Sequence, residues 1–191
     1  MEAGYWGGMN TFFMTMVVGH AMPAGQSPFL SGLSHPVMGL DHLLAMVAVG
    51  LLAARGNASV QWQVTGAFLG GMVLGGVLGL FPVLSEPLEL GIVLSMTVFG
   101  LILVLNQPGL KRCLPGIAGG FALFHGHAHV LAGPEGGALM SYGAGFVLGT
   151  VALMAAGVLV GFICREVPKG SWGFRLAGLA VLGMSLVFLC V

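Results

Sequence analysis

The sequence predicts an all-α, polytopic membrane protein: a bundle of six core transmembrane helices with a seventh, signal-like helix at the N-terminus. Three observations lead to this fold class. Hydrophobic residues make up 57% of the 191 residues and charged residues 6%, whereas soluble domains carry about 25% charged residues. The apolar residues occur in runs of roughly 20, the length at which one helix spans the hydrocarbon core. Glycine, with 34 residues, lets helices approach closely in lipid.

The six core spans are the segments that are apolar and long enough to cross a bilayer. Proline, glycine or charged residues bound each of them, as in the Arg-Gly-Asn run at 55–57 and the Pro-Lys-Gly run at 168–170. The connections between spans are short, so residues 25–191 are predicted to form one membrane domain. The predicted spans are 35–54, 60–83, 86–106, 114–131, 138–164 and 174–191.

Residues 1–24 form a separate N-terminal segment, which is either signal-like or an extra transmembrane helix. Residues 12–22 are apolar and have the length of a signal-peptide core. Residues 1–8 contain no Lys or Arg, whereas a signal peptide begins with a positive charge. The segment 5–23 contains 19 residues, which is just enough to cross, so we expect a seventh helix here.

The basic residues predict the orientation of the bundle. With the start of the first core span outside, every Lys and Arg falls in a loop or helix end on the cytoplasmic side, in agreement with the positive-inside rule. These residues are Arg55, Lys111, Arg112, Arg165, Lys169 and Arg175. They are balanced by six acidic residues, so we expect no nucleic-acid partner.

All six histidines fall on the opposite, external side of this topology. They are His20, His35, His42, His125, His127 and His129. His35 and His42 form an H-x5-D-H pattern with Asp41 at the outer start of the first core span. An H-x-H-x-H pattern at 125–129 lies near the outer end of the fourth core span. Two distant stretches of sequence are therefore predicted to converge on one leaflet.

These side chains suit a divalent transition metal, because imidazole and carboxylate groups are its common ligands. A charged Asp in a span costs about 2.5–3.5 kcal/mol on insertion scales and needs a compensating partner. His125 and His129 are four residues apart, so they share a helix face and can chelate one ion. His127 points about 200° away. It is a second-site ligand, a gate or a packing residue, unless Gly126 deforms the turn.

The first cluster leaves two arrangements open. His35 and His42 are seven residues apart, so in a regular helix they lie about 10 Å apart along the axis. Either they are successive stations along a path, or Pro36 and Gly39 loosen the first turns. Asp41 either binds the metal or accepts the second N–H of a histidine from another helix and so orients it.

The sequence resembles the HupE/UreJ family of hydrogenase and urease accessory membrane proteins. Two motifs carry the resemblance: Leu-Ser-His-Pro at 33–36 followed by Gly-Leu-Asp-His-Leu-Leu-Ala-Met at 39–46, and Phe-His-Gly-His-Ala-His at 124–129. The likeness runs from about residue 30 to the C-terminus. It departs after the third histidine of the second motif, where the family often has Gly and an acidic residue. Here Val-Leu-Ala follows, and Glu135 comes later.

The resemblance implies a nickel permease, in some members a cobalt permease, that supplies urease or NiFe hydrogenase. Members typically have a cleaved signal peptide followed by six spans. Carried over by position, the functional residues that the resemblance implies are His35, Asp41, His42, His125 and His129. His127, the middle histidine of the second motif, is added to this set.

We therefore expect a non-enzymatic permease of the bacterial inner membrane, with its histidines facing the periplasm. Its partners would be the bilayer and the transported ion, Ni(II) or Co(II). The sequence contains no G-x-x-x-x-G-K-[ST] and no H-E-x-x-H, the motifs of a phosphate-binding loop and of a zinc hydrolase. Two other functions fit the histidines: an electron-transfer subunit with haem between His42 and a histidine of 114–131, and an accessory protein that binds metal without transporting it.

Overall fold

The computed structural model describes residues 27–81, 88–105, 107–134, 136–167 and 169–190. Within these ranges the protein contains seven α-helices, one short 3-10 helix (Pro108–Arg112) and no strand, which confirms the all-α class. The predicted N-terminal helix and His20 lie outside the described residues. The α-helices are α1 (Pro28–Met38), α2 (Leu40–Ala54), α3 (Ala58–Gly79), α4 (Leu88–Leu105), α5 (Leu114–Leu131), α6 (Ala138–Glu166) and α7 (Ser171–Cys190).

Several of these helices are long and apolar enough to cross a membrane. Among the described residues they are α4, α6 and α7, with the bent pair α1 and α2 as a fourth if the pair is counted as one span. Helices α3 and α5 lie where two more spans were predicted, and they pack on each other. The chain is thus an apolar helical bundle, while the full topology of six spans plus one stays a prediction.

The predicted span at 35–54 is divided between two helices, α1 and α2. Helix α1 begins earlier, at Pro28, and ends at Met38, and α2 leaves it at an angle of 78°. Pro36 lies inside α1, where it has no backbone N–H to donate to the preceding turn, and the helix continues to Met38 before the break. Gly39 then adopts an extended conformation (φ −91°, ψ 113°) between the two helices.

Side-chain caps fix the starts of two helices. Ser27 Oγ accepts a hydrogen bond from the Leu30 N–H (3.3 Å) at the start of α1. Asn57 Oδ1 accepts one from the Val60 N–H (3.0 Å) at the start of α3. The first N–H groups of a helix have no partner within it, so a side-chain cap stabilises the residue at which the helix begins.

Glycine allows the close packing of α3 on α5. Gly75 of α3 faces the backbone of Leu123, and Gly126 of α5 faces the Met72 carbonyl, with no room for a Cβ atom at either glycine. Gly50 of α2 meets the backbone of α6 at Met154 in the same way. Helices in lipid associate through such contacts, since no hydrophobic effect pushes them together.

The bundle has chemically different ends. Helix α2 carries His42 in its first turn and Arg55 at its C-terminal end, and α5 begins after Lys111 and carries its histidines near its other end. At about 1.5 Å per residue, the length of α2 separates these groups by about 20 Å. We call them the histidine end and the basic end.

Replacing Gly126 by Ala is expected to lower the thermal unfolding midpoint of the detergent-purified protein. The added methyl group collides with the Met72 carbonyl, and overpacking of this kind costs about 1–3 kcal/mol. Gly66→Ala is the matched control, because a Cβ there meets nothing within 4 Å. Equal midpoints for the two variants would contradict the proposed contact between α3 and α5.

Candidate functional site

Four of the predicted histidines meet inside the histidine end. His35 comes from α1, His42 from α2, and His125 and His129 from α5. The ring centroids lie 4.3 Å apart for His42 and His129, 4.7 Å for His35 and His129, 4.9 Å for His42 and His125, and 6.5 Å for His35 and His42. We call these four rings the imidazole cluster.

The break at Gly39 brings the first motif into the imidazole cluster. In a straight helix His35 and His42 would stand about 10 Å apart along the axis, but their ring centroids are 6.5 Å apart. Of the two arrangements that the sequence left open, the structure adopts the one in which the helix is interrupted, and the interruption lies at Gly39. His125 and His129 reach the cluster from one face of α5, as their spacing of four residues predicted.

Asp41 determines which nitrogen of His42 carries the proton. The Oδ1 atom of Asp41 accepts hydrogen bonds from the backbone N–H and from Nδ1 of His42, both at 2.8 Å. A carboxylate can only accept, so Nδ1 is protonated and Nε2 of the neutral ring keeps a lone pair. His42 Nε2 is buried and has no hydrogen-bond partner in the part of the chain that the structure describes.

The glycine at the helix break also makes room for the Asp41–His42 pair. A Cβ atom on Gly39 would lie 2.8 Å from Asp41 Oδ1 and 3.3 Å from His42 Nδ1. The sequence allowed Asp41 to orient a histidine of another helix. In the structure it orients its own neighbour, His42.

Ser95 determines the proton position of His125 in the same way. Its hydroxyl donates to the Ile92 carbonyl (2.6 Å), so its oxygen is left to accept a hydrogen bond from His125 Nε2 (2.9 Å). The proton of His125 is therefore on Nε2, and the lone pair is on Nδ1. This Nδ1 is buried and has no hydrogen-bond partner among the described residues.

Sequence analysis missed Ser95. It lies on α4, a mostly apolar helix, where a single serine is indistinguishable from one that bonds only to its own helix. No periodicity or motif links it to His125, which is 30 residues away. Only the packing of α4 against α5 brings them together.

His127 lies apart from the imidazole cluster, as its position on the helix predicted. It is buried, and its backbone packs against Gly79 of α3, where a Cβ atom would lie 3.1 Å from the His127 carbonyl oxygen. In the described part of the chain its ring contacts none of the four clustered rings. Its roles as second-site ligand or gate remain predictions.

Aromatic side chains enclose the imidazole cluster. The ring centroid of Phe146 is 3.8 Å from that of His129, Tyr142 is 5.9 Å from His35, and Phe68 is 5.7 Å from His125. The imidazoles pack edge to face, and across the described residues no three His, Cys, Asp or Glu donors are placed to hold a metal ion. A small cation would have to turn some of the rings to bind to several of them.

Comparison with known proteins gives one family. A family profile described as HupE / UreJ protein matches residues 9–188. The chain is 38% identical over 152 residues to Protein HupE of Rhizobium leguminosarum bv. viciae, which covers 80% of this chain and 79% of that protein. No solved structure matches the chain.

Replacing Ser95 by Ala is expected to lower the free energy of unfolding by about 1–3 kcal/mol, because the buried His125 N–H loses its acceptor. Ser185→Ala is the matched control. Ser185 is also fully buried and bonds to the carbonyl three residues earlier, and its other partner, Thr97, still has the Val93 carbonyl.

Thermal unfolding in detergent measures the difference between these two variants. If Ser185→Ala lowers the midpoint as much as Ser95→Ala does, the bond between Ser95 and His125 has no special role.

Proposed function

Because this chain belongs to the HupE / UreJ protein family, we propose that it is a permease that carries Ni(II) from the periplasm to the cytoplasm across the bacterial inner membrane. Co(II) would use the same ligands. The ion would serve the maturation of urease or NiFe hydrogenase, and the chain itself would perform no enzymatic step. The observation that carries the proposal is the pair of buried imidazole lone pairs on His42 and His125.

Two buried acceptors without partners are costly in the apo protein. Each such group loses its hydration without a replacement, at about 1–3 kcal/mol. A divalent cation that accepts both lone pairs would remove this cost, and imidazole is a good ligand for nickel. A carboxylate, a backbone carbonyl or a water usually accepts the other ring N–H of a metal-binding histidine. The Asp41 carboxylate holds that position on His42, and the Ser95 hydroxyl holds it on His125.

The edge-to-face packing of the rings supports passage of the ion over permanent binding. A closed cage of ready ligands holds its ion tightly, whereas a transported ion must bind firmly enough to lose water and weakly enough to leave. In our proposal His42 and His125 meet the ion first, and the rings of His35 and His129, centroids 4.7 Å apart, turn to share it.

The same packing favours a small ion over haem. The imidazole cluster is compact, with centroid separations of 4.3 to 6.5 Å, and Phe146 covers His129 at 3.8 Å. A porphyrin between two of these histidines would have to separate them from their aromatic neighbours. A binding protein without transport has the same ligand needs as a permease, so only a flux measurement separates these two functions.

Radiolabelled Ni(II) uptake into proteoliposomes tests the permease. We expect His42→Gln and His125→Gln to reduce initial uptake at least tenfold, because each removes one of the two lone pairs. His127→Gln is the matched control, since His127 is also buried and lies on the same helix as His125, and it is expected to keep uptake within twofold of the unmodified protein.

Three outcomes would contradict parts of this proposal. Undiminished uptake in both cluster variants would remove the assigned site. An equal loss in His127→Gln would mean that the loss is not specific to the imidazole cluster and would favour His127 as a second-site ligand or gate. Binding without uptake in the unmodified protein would favour an accessory role.

Asp41→Asn is expected to weaken Ni(II) binding by about 10–100-fold, the usual effect of removing the outer partner of a metal-bound histidine. Isothermal titration of detergent-purified protein measures the affinity. Glu89→Gln, which neutralises an exposed carboxylate in the first turn of α4, is the control and should leave the affinity unchanged. Equal affinities in Asp41→Asn and the unmodified protein would show that His42 needs no such partner.

A further inference from the structure

A cavity of about 210 Å³ opens at the basic end, far from the imidazole cluster. Its lining includes the side chains of Arg55, Lys111 and Arg165, together with Ser171 and Phe174 of α7. The cavity is much larger than the space that one water molecule needs. Three cationic groups from the ends of three different segments therefore line one open cavity.

The positive charge of this cavity has no counter-ion in the described part of the chain. No carboxylate lines it, and no carboxylate of the described residues lies within ion-pair distance of a Lys or Arg. Burial, followed by the positive charge of Arg175, lowers the pKa of Arg55 to about 10. The charged form of Arg55 is thus disfavoured by its surroundings, which a bound anion would reverse.

Neutral backbone groups hold the two arginines in place. Arg55 donates to the carbonyls of Ile102 (3.0 Å) and Leu103 (2.6 Å), and its guanidinium lies 4.6 Å from the centroid of the Phe174 ring. Arg165 donates to the Ala54 carbonyl at 2.9 Å. A guanidinium has five N–H donors, so these contacts fix each group while leaving donors for a ligand.

The N-terminal end of a helix adds to the positive charge at this cavity. Helix α7 is 20 residues long and begins at Ser171, a lining residue. Two of its first N–H groups, those of Trp172 and Gly173, already donate to the Lys169 and Gly170 carbonyls (2.9 and 3.0 Å), so the helix contributes the positive end of its dipole, which favours an anion. The outer side of this region is apolar, since Trp172 is 58% exposed and Ile163 57% exposed, as expected of a surface at the lipid boundary.

We propose that the cavity at the basic end binds a phosphate group through Arg55, Lys111 and Arg165. Basic pockets between membrane helices suit the headgroups of anionic phospholipids, and free inorganic phosphate presents the same chemistry. The proposal does not depend on metal transport, because it concerns the opposite end of the bundle.

Lys111→Gln is the first test, with Arg112→Gln as its matched control. The two residues are adjacent and exposed and carry the same charge, but only Lys111 lines the cavity. Binding of delipidated protein is measured to nanodiscs of phosphatidylglycerol and phosphatidylcholine (1:1), to nanodiscs of phosphatidylcholine alone, and to inorganic phosphate. We expect Lys111→Gln to weaken binding of the phosphate-bearing ligand at least fivefold, and Arg112→Gln less than twofold.

The ligand arms identify the source of the phosphate. If the protein binds the phosphatidylglycerol nanodiscs selectively and inorganic phosphate does not displace it from them, the ligand is a lipid headgroup. If inorganic phosphate displaces it, the ligand is the free anion. Equal losses in Lys111→Gln and Arg112→Gln, or no phosphate-dependent binding by the unmodified protein, would overturn the proposal. Arg165→Gln in a second round should reproduce the Lys111→Gln effect, and Lys111→Arg should restore binding.

Discussion

The hydrogen bonds between Asp41 and His42 are the interaction on which the histidine end depends. A carboxylate buried in an apolar bundle is costly unless hydrogen-bond donors surround it. His42 supplies two donors to one oxygen of Asp41, from its backbone and from its ring. The same contact fixes the orientation of the His42 ring and the position of its proton. The buried charge of Asp41 therefore also leaves the lone pair on His42 Nε2.

The helix break at Gly39 makes this arrangement compatible with the rest of the bundle. Without the 78° bend, His35 would lie a full two turns from His42 and outside the imidazole cluster. With it, three separate helices contribute rings to one small volume. Ser95 repeats for His125 what Asp41 does for His42, with a neutral hydroxyl in place of a carboxylate. Two different chemical devices thus leave one free nitrogen on each of two neighbouring rings.

The sequence predicted the features that depend only on local helix geometry. The spacing of His125 and His129 predicted a shared face, and the half-turn offset of His127 predicted its separation from that face. Both follow from the helical period alone. Other features depend on how the helices pack, and a single sequence contains no local signal for contacts between helices. They are the direction of the break at Gly39, the contact of Ser95 with His125 and the carbonyls that bind Arg55. The sequence analysis placed the start of the first core span at His35, whereas α1 begins at Pro28.

The packing of the bundle divides the imidazole cluster between two groups of helices. Helices α1 and α2 pack on α6, while α5 packs on α3, with Gly126 in close contact with α3 between two of the histidines. His35 and His42 thus belong to one group, and His125 and His129 to the other. The four rings meet across the seam between these groups. A relative movement of the two groups at that seam would change the distances between the histidine rings.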